Sequence, residues 1–424
     1  MNKLNETKLV ELLADKQNAI AMGPFGSRIK AENFVSSGIP VIKGGNLGNC
    51  YLKEDQFDFL TPEKAEELKS SKAVYGDIVI THRGTLGQVG LIHETSKYEE
   101  YIVSQSQLKV SPNKEKIDPY YLYYFLISPL GQHRLLENSS QVGVPAIARA
   151  STSVKEILVP VPSLNIQKKI VELLRNLDKK IELNQKMNET LEEIAKTLFK
   201  SWFIDFDPVR AKAEGRPTGL SKEISDLFPD SFEDSELGEI PRGWKIKKVG
   251  ECLEFIYGKG LTKKQRIHGD IPVYGSNGIV GFHNNANAKG PGIVVGRAGN
   301  PGTVHWSFKD FFVIDSAFSV NVIDEEMSNF YFYALKNLRL ERLNSGSAIP
   351  GLNRNHAYEE KIIIPNLPLL REFNTLSSSF FSKQLLTLEE NEVLSQLRDK
   401  LLPRLISGEL QITDAENLVE EAGI

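Results

Sequence analysis

The chain of 424 residues repeats itself once, with a period of about half its length. Five segments of the first half recur in the same order in the second half, namely residues 39–41 as 271–273, 76–84 as 291–299, 145–149 as 350–354, 157–160 as 362–365, and 188–199 as 391–402. The last pair aligns without a gap, and Arg83 and Arg297 are taken as equivalent residues in the second pair. A repeat of this length predicts two copies of one structural unit.

Each copy begins with a segment that is typical of a strand-rich domain. Short runs rich in Val, Ile, Tyr and Phe are separated by Gly, Pro and Asn, and they occur at residues 77–80, 101–110, 293–296 and 311–322. Short helices are predicted at residues 120–127 and 330–338. We therefore expect an α+β fold with two mixed α/β domains that are dominated by strands.

Each copy ends in a segment that favours one long helix. No proline or glycine occurs between Pro162 and Pro208, so nothing in that stretch breaks a helix. Helices are predicted from about Asn165 to Lys200 and from about Leu369 to Leu402. Both contain apolar residues at the 3-4 spacing of a coiled-coil seam, interrupted by asparagines that favour one specified pairing. The alternative is that each helix packs on its own domain.

The seam residues of the two predicted helices are Ile170, Leu174, Leu177, Ile181, Asn184, Asn188, Leu191 and Leu198 in the first, and Phe373, Phe380, Asn391, Leu394 and Leu401 in the second.

The composition excludes several classes of protein. No apolar run approaches the roughly 18 to 20 residues that a membrane helix needs, and the first residues lack the basic-then-apolar order of a secretory signal. We therefore expect a cytoplasmic protein with no membrane partner. Cys50 and Cys252 are the only cysteines, so neither a disulfide framework nor a structural zinc site is expected.

The net charge of −4 hides a segregation of charge along the chain. Residues 258–310 hold seven Lys and Arg against two Asp. Residues 221–240 hold seven acids against one lysine, and residues 409–424 hold five acids and no base. On charge alone, such a patch is more often an ordinary solvated surface, and an anionic partner is the alternative interpretation.

No catalytic motif is present. The chain has no Pro-Pro pair, as an Asn/Asp-Pro-Pro-aromatic methyltransferase motif would need, no G-x-G-x-x-G loop and no phosphate-binding G-x-x-x-x-G-K-S/T loop. The seven histidines show no metal-ligand spacing. We therefore expect neither a catalytic residue nor a metal nor a cofactor on this chain.

The loops carry residue types that suit nucleic-acid recognition. Arg and Lys match guanine, Asn and Gln match adenine, and Ser, Lys and backbone amides match phosphates. For each residue singly, solvent exposure or turn stabilisation remains an alternative. The candidates are Ser27, Arg28, Lys43, Asn46, His82, Arg83, Ser140, Gln141 and Arg149 in the first copy, and Lys259, Lys263, Lys264, Ser276, Asn277, Arg297, Ser345, Ser347 and Arg354 in the second.

Three further segments resemble those of one family. They are SWFIDFDPV at residues 201–209, LGEIPRGW at residues 237–244, and RDKLLPRLISGEL at residues 398–410. With these segments the whole chain resembles the specificity (S) subunit of type I restriction-modification systems, the HsdS family. The aromatic and aliphatic residues beyond the helices (Trp202, Phe203, Phe206, Leu405 and Ile406) serve either core packing or partner contacts.

The resemblance implies a non-catalytic subunit that binds a bipartite double-stranded DNA target, one half-site per recognition domain. It implies two long antiparallel helices that form a coiled coil and set the spacer, within an internal pseudo-twofold repeat. The expected order is target-recognition domain 1 at 1–162, central helix at 163–207, acidic linker at 208–240, target-recognition domain 2 at 241–367, C-terminal helix at 368–408 and acidic tail at 409–424.

The resemblance also implies partners and leaves alternatives open. Two modification subunits would methylate adenine with S-adenosylmethionine, and restriction subunits would use ATP and Mg²⁺ to translocate and cut DNA. A specificity subunit of a methylation-only system is one alternative. A coiled-coil scaffold for non-DNA ligands is a second, and a self-sufficient methyltransferase or nuclease is a third, which the missing motifs disfavour.

Overall fold

The computed structural model describes residues 5–48, 51–140, 143–343 and 351–423. The chain divides into two compact units. The first unit comprises Met1–Glu182 together with Asn391–Ile424, and the second unit comprises Leu183–Glu390. Each unit therefore contains one strand-rich domain and half of each long helix.

Thirteen short strands form the sheets in the described part of the first unit. They are β1 (Glu6–Lys8), β2 (Ile20–Met22), β3 (Phe34–Val35), β4 (Ile39–Ile42), β5 (Asp58–Leu60), β6 (Lys72–Val74), β7 (Ile78–Thr81), β8 (Val89–Leu91), β9 (Glu100–Val103), β10 (Gln107–Val110), β11 (Ser139–Ser140), β12 (Ala146–Ile147) and β13 (Leu158–Pro160). The helices up to the long one are α1 (Pro62–Glu67), α2 (Pro119–Ile127), α3 (Pro129–Leu136), α4 (Ala150–Lys155) and α5 (Leu164–Phe203).

The second unit contains eleven strands among its described residues. They are β14 (Phe232–Ser235), β15 (Gly238–Pro241), β16 (Lys245–Lys248), β17 (Leu253–Tyr257), β18 (Ile271–Gly275), β19 (Gly278–His283), β20 (Gly292–Gly296), β21 (Val304–Ser307), β22 (Phe312–Val313), β23 (Ala317–Val322) and β24 (Lys361–Ile364). The remaining helices of the chain are α6 (Asp207–Ala213), α7 (Lys222–Ser225), α8 (Val249–Cys252), α9 (Ser328–Asn337), α10 (Arg354–Glu359), α11 (Leu367–Ser407) and α12 (Ile412–Glu421).

The two units have matching central sheets. The first unit has a four-stranded antiparallel sheet of order β2-β10-β7-β8, and the second has one of order β17-β23-β20-β21. Beside it, β4 pairs in parallel with β9 in the first unit, and β18 pairs in parallel with β22 in the second. The central strands are buried on both faces, which explains why β7 and β20 are continuous apolar runs rather than alternating ones.

The long helices α5 and α11 pack together in antiparallel fashion. In the second unit the side chain of Asn188 on α5 meets that of Thr387 on α11, with 2.5 Å between Oδ1 and Oγ1. In the first unit Asp178 on α5 accepts a hydrogen bond from Arg398 on α11 at 3.0 Å. The residue number falls on one helix as it rises on the other, so the helices run in opposite directions. The predicted fold class is confirmed.

The polar residues of the seam form hydrogen bonds between the helices. Asn184, 1% exposed, donates from Nδ2 to Glu390 at 2.7 Å within the second unit. Asn391 donates to the carbonyl oxygen of Ile181 at 3.4 Å within the first unit. Of the predicted seam residues, Ile170, Leu174, Leu177, Asn184, Phe373, Leu394 and Leu401 are buried, and Ile181, Asn188, Leu191, Leu198, Phe380 and Asn391 are half-buried.

A polar cluster ties the helices to the domain in the first unit. The hydroxyl of Tyr124 on α2 donates to Asp178 at 2.5 Å, and the other oxygen of Asp178 accepts from Arg398. Burial raises the pKa of Tyr124 well above its ordinary value, so the phenol stays protonated and remains a donor. One carboxylate on α5 thus joins α2, α5 and α11.

The segments beyond the long helices belong to the cores of the units. Trp202, Phe203 and Phe206 are at most 7% exposed and pack in the second unit, while Leu405 and Ile406 are at most 2% exposed and pack in the first. Core packing therefore accounts for the aromatic and aliphatic residues that mark these segments. The acidic stretch at residues 409–424 contains helix α12, whose Ala415 lies in the core of the first unit.

Candidate nucleic-acid interface

Three loops meet in the first unit, beside the central sheet and the adjoining parallel pair of β4 and β9. They follow β4, β7 and β9, and backbone hydrogen bonds join them. The Ser104 N–H donates to the Ile42 carbonyl at 2.9 Å, and the His82 N–H donates to the Ser106 carbonyl at 3.0 Å. Because these bonds use backbone atoms, the loop positions are fixed while their side chains can vary.

An open cleft of about 690 Å³ lies between these three loops and the segment that follows β2. Its lining mixes polar and apolar groups, and it carries a net positive charge because the described lining residues include cations and no carboxylate. The side chains around it include Lys43, Arg83, Thr85, Gln88, Gln105 and Ser106. Such a lining supplies donors and acceptors of the kinds that recognise base edges and phosphates.

The second unit repeats the arrangement of the three loops. The Ile314 N–H donates to the Tyr274 carbonyl at 2.9 Å, and the Arg297 N–H donates to the Ser316 carbonyl at 2.8 Å. These loops follow β18, β20 and β22. The same backbone scaffold therefore presents a different set of side chains in each unit.

The hydrogen bonds also correct the predicted equivalence of Arg83 and Arg297. The carbonyl of His82 accepts from the Ile147 N–H at 2.9 Å, and that of Arg297 accepts from the Leu352 N–H at 2.8 Å. Together with the bonds to Ser106 and Ser316, these bonds show that the residue equivalent to Arg297 is His82 and not Arg83. The prediction was wrong by one residue because matching the two charged side chains ignored the register of the β7 and β20 strands.

Three candidate residues are buried and bonded within their own unit. Asn46 accepts from the Lys43 N–H at 2.9 Å and donates to the Gln56 carbonyl at 2.7 Å. His82 lies 3.1 Å from the Gln105 carbonyl through Nε2, and burial lowers its pKa. Ser276 accepts from the Thr303 hydroxyl at 2.5 Å through its carbonyl. Each of these residues shapes a loop.

Most of the candidate cations are exposed. None of Arg28, Arg83 and Arg149 in the first unit, nor Lys259, Lys263 and Lys264 in the second, forms an ion pair with a residue that the structure describes. Lys43 differs, since it pairs with Asp58 and lies 4.8 Å from the centre of the Phe34 ring. Lysines and arginines without carboxylate partners are available to phosphates.

The remaining candidates fall in three groups. Ser140 is exposed on β11, and Asn277 is exposed and accepts from the Asn300 amide at 2.5 Å. Arg297 and Arg354 lie together against the ring of Tyr257. Gln141, Ser345 and Ser347 lie outside the described residues, as does the side chain of Ser27.

Sequence reasoning missed three residues of these loops. They are Gln105 in the first unit and Tyr257 and Asn300 in the second. A usable signal existed for Tyr257, because an aromatic residue directly precedes the Gly-Lys-Gly turn that supplied Lys259. Gln105 and Asn300 have no such signal, since only the long-range backbone bonds bring their loops to the site.

The described part of the chain offers no other obvious chemistry. Among its residues there is no group of three or more His, Cys, Asp or Glu side chains that could hold a metal ion. Across the same ranges, no helix has both the length and the apolar character that crossing a membrane requires.

Comparison with known proteins places the chain among restriction-system proteins. The Haemophilus influenzae type I restriction enzyme HindI specificity subunit is 27% identical, with 74% of this chain and 82% of that protein covered. The Methanocaldococcus jannaschii type I restriction enzyme MjaIX specificity subunit is 26% identical, with 91% and 90% covered.

A solved structure shares the fold. The crystal structure of a type I restriction-modification system S subunit from M. genitalium matches with a TM-score of 0.55 at 19% identity, over 96% of this chain and 97% of that one. The family model of the type I restriction modification DNA specificity domain matches residues 26–193 and 241–375. The resemblance seen in the sequence is thus confirmed. Because that model covers well over half of the chain, the chain belongs to the type I restriction-modification DNA specificity family.

Proposed function

We propose that this chain is the non-catalytic DNA sequence-specificity subunit of a type I restriction-modification complex. In this proposal each unit binds one half-site of a bipartite DNA target. The observation that carries it is the three-loop scaffold, which occurs in both units with the same backbone hydrogen bonds and different side chains. A protein that reads two different short sequences needs such an arrangement, because base contacts specify the sequence while the backbone only positions them.

Charge supports DNA as the ligand. Exposed cations without described carboxylate partners occur in the loop regions of both units, among them Arg83 in the first and Lys263 in the second. Such residues attract the phosphate backbone and make affinity fall steeply with salt. Sugar- or protein-binding scaffolds would lack that dependence.

The helix pair is the element that we assign to the spacer and to the partners. Both α5 and α11 contribute to both units, and the described seam is held in one register by hydrogen bonds between polar side chains. We infer that this pair sets the distance between half-sites and docks two modification subunits. S-adenosylmethionine, ATP and Mg²⁺ would then act on the modification and restriction subunits.

The proposal is tested by sequencing modified bases in the host genome with and without this gene. Adenine methylation should disappear from one split motif with a fixed unspecified spacer when the gene is deleted, and return when it is restored. Deletion of the modification-subunit gene is the matched control and should remove the same motif. If the motif survives deletion of this gene while the modification subunit is active, the proposed function is wrong.

A further inference from the structure

The second unit holds two arginines against one exposed tyrosine. Tyr257 ends β17 with 52% of its surface exposed, and its ring packs on that of the buried Phe318 at 5.0 Å between centroids. The Cζ atoms of Arg297 and Arg354 lie 5.6 and 5.0 Å from the centre of the Tyr257 ring. A guanidinium within about 6 Å of an aromatic ring centre is attracted by the ring's negative face.

The backbone and the Nε atom of Arg297 are held by hydrogen bonds, whereas its terminal amino groups have no described partner. Its Nε donates to the Asp315 carbonyl at 2.8 Å, and its backbone N–H and C=O are both bonded within the loop scaffold. Among the described residues, neither terminal amino group has a hydrogen-bond partner and no carboxylate pairs with the guanidinium. The two parallel N–H groups of the tip are therefore oriented, and no described residue accepts a hydrogen bond from them.

Arg354 is the second arginine that lies against the Tyr257 ring. Its Nη1 donates to the Phe255 carbonyl at 3.2 Å, and its guanidinium also lies 5.7 Å from the centre of the Tyr358 ring. The Nε atom of Arg354 is buried and has no partner among the described residues. Arg354 thus brings a second positive charge to the same ring, and no described carboxylate pairs with it. The site therefore favours an electron-rich ligand.

We propose that Arg297 reads a guanine of the half-site bound by the second unit. The two terminal amino groups of Arg297 donate to O6 and N7 of guanine in the major groove, and Tyr257 and Arg354 are positioning residues. This inference rests on the proposed function. A guanine presents two acceptors side by side at the spacing of the arginine tip, whereas adenine presents one acceptor beside a donor.

Rigidity favours a base over a phosphate as the ligand of Arg297. Phosphate contacts tolerate flexible side chains, and the second unit has exposed lysines for that purpose at Lys259, Lys263 and Lys264, none of which pairs with a described carboxylate. Arg297 instead has its Nε bonded and its Cζ atom 5.6 Å from the centre of the Tyr257 ring. A donor pair held in one orientation discriminates between bases, because a misplaced acceptor loses both hydrogen bonds.

The first unit lacks this chemistry at the same backbone position. His82 occupies the place of Arg297, and its Nε2 is engaged with the Gln105 carbonyl. Gly23 after β2 and Gly258 after β17 donate their N–H groups to equivalent carbonyls of the neighbouring strand. The residues that precede these glycines are therefore equivalent, so Met22 stands where the second unit has Tyr257. Guanine reading from this position therefore belongs to one half-site only, and a change at Arg297 should leave the other half-site intact.

The first experiment is Arg297→Lys in the full chain, expressed with its modification subunit and followed by modified-base sequencing. Lysine retains the charge and removes the planar pair of donors. One guanine in one half of the split motif should become degenerate, with discrimination falling roughly tenfold or more. Lys263→Ala is the control, and it should lower methylation at all sites without changing the motif. Because a lysine ammonium can itself donate to guanine, Arg297→Ala is tested beside it, and an unchanged motif with both variants would overturn the inference.

A second experiment decides the matter even if Arg297→Lys does not assemble. The wild-type complex is tested on duplexes in which single guanines of the motif are replaced by 7-deazaguanine, which lacks the N7 acceptor. Binding should weaken at one guanine of the second unit's half-site. Weakening by a neutral methylphosphonate linkage and by no 7-deazaguanine would identify a phosphate contact and refute guanine reading. If the wild-type complex has no split motif, the proposed function fails instead.

Discussion

Two glycines, Gly23 after β2 and Gly258 after β17, allow close contacts between loops. An added Cβ on Gly23 would lie 1.9 Å from the Ser104 carbonyl oxygen, and one on Gly258 would lie 2.0 Å from that of Ile314. Both glycines donate their N–H to the neighbouring strand, at 2.9 Å to Gln107 and 3.1 Å to Ala317. Neither backbone can retreat without losing that bond. The absence of a side chain thus lets two loops approach to contact distance.

We expect Gly258→Ala to lower the free energy of unfolding by about 1–3 kcal/mol or more, because the new methyl group overlaps a backbone atom. Gly260→Ala is the matched control two residues away, since a Cβ there would meet nothing within 4 Å. Denaturant unfolding of the two purified variants measures the difference. Equal stabilities would show that the Gly258 loop can move aside and that its close approach is not required.

At this scale the sequence predicted residue types better than residue roles. The exposed cations were found because Lys and Arg in glycine-rich loops are visible in the sequence. Asn46 was assigned to DNA by its type, yet the structure bonds its amide to backbone atoms of Lys43, Lys53 and Gln56. Amides serve turns and bases alike, and only the three-dimensional position of the loop distinguishes the two uses.

Among the elements, the helix pair is specified by polar residues as much as by apolar ones. The Thr387 hydroxyl is buried, and it lies 2.5 Å from Asn188 Oδ1 on the facing helix. Gln384 donates to the Asn188 carbonyl at 3.0 Å one turn earlier. A shift of either helix by one turn would separate these partners and leave them unsatisfied. The interruption in the apolar seam thus fixes the register.

We predict that Thr387→Val destabilises the chain by about 1–3 kcal/mol, because it leaves the Asn188 carboxamide oxygen unsatisfied in the seam. Thr375→Val on the same helix is the control, since Thr375 is exposed and bonds only to the Arg371 carbonyl, at 2.9 Å, among the described residues. Urea unfolding should show a change within about 0.5 kcal/mol for the control. A similarly small loss of stability at both positions would show that the bond between Thr387 and Asn188 does not fix the helix register.

Elements were predictable where the signal was local. The absence of proline and glycine between Pro162 and Pro208 predicted a helix from about Asn165 to Lys200, and α5 spans Leu164–Phe203. Strand runs such as β7 and β20 were visible as β-branched segments. Strand order was not visible, because the parallel pairing of β4 with β9 joins segments about sixty residues apart and depends on the whole sheet.

At the scale of the molecule, one scaffold is used twice. The side chains that we propose to read bases sit on loops that the strands hold, while the long helices contribute to both units. Under the proposed function, the half-site sequences and the spacer length are therefore set by different elements. A change in one should leave the other unaltered.

We predict that matched seven-residue insertions in α5 and α11, each continuing the heptad pattern, lengthen the preferred spacer without altering either half-site. Seven helical residues add about 10.5 Å, or about three base pairs at roughly 3.4 Å each. The motif read by modified-base sequencing gives the answer directly. A change in the half-site sequences with the spacer kept constant would contradict the division between helices and loops.

The division of the chain into units also orders its synthesis. The second unit is one continuous stretch, Leu183–Glu390, whereas the first is completed only by residues after 390. Leu394, Leu401 and Ile406 are at most 1% exposed in the core of that first unit. On the ribosome, the part of the first unit made earliest must therefore wait for the part made last, while the second unit already has its whole sequence. A premature stop near residue 390 would leave the later-made strand-rich domain with its whole sequence and remove the core residues that α11 and α12 supply to the earlier-made one.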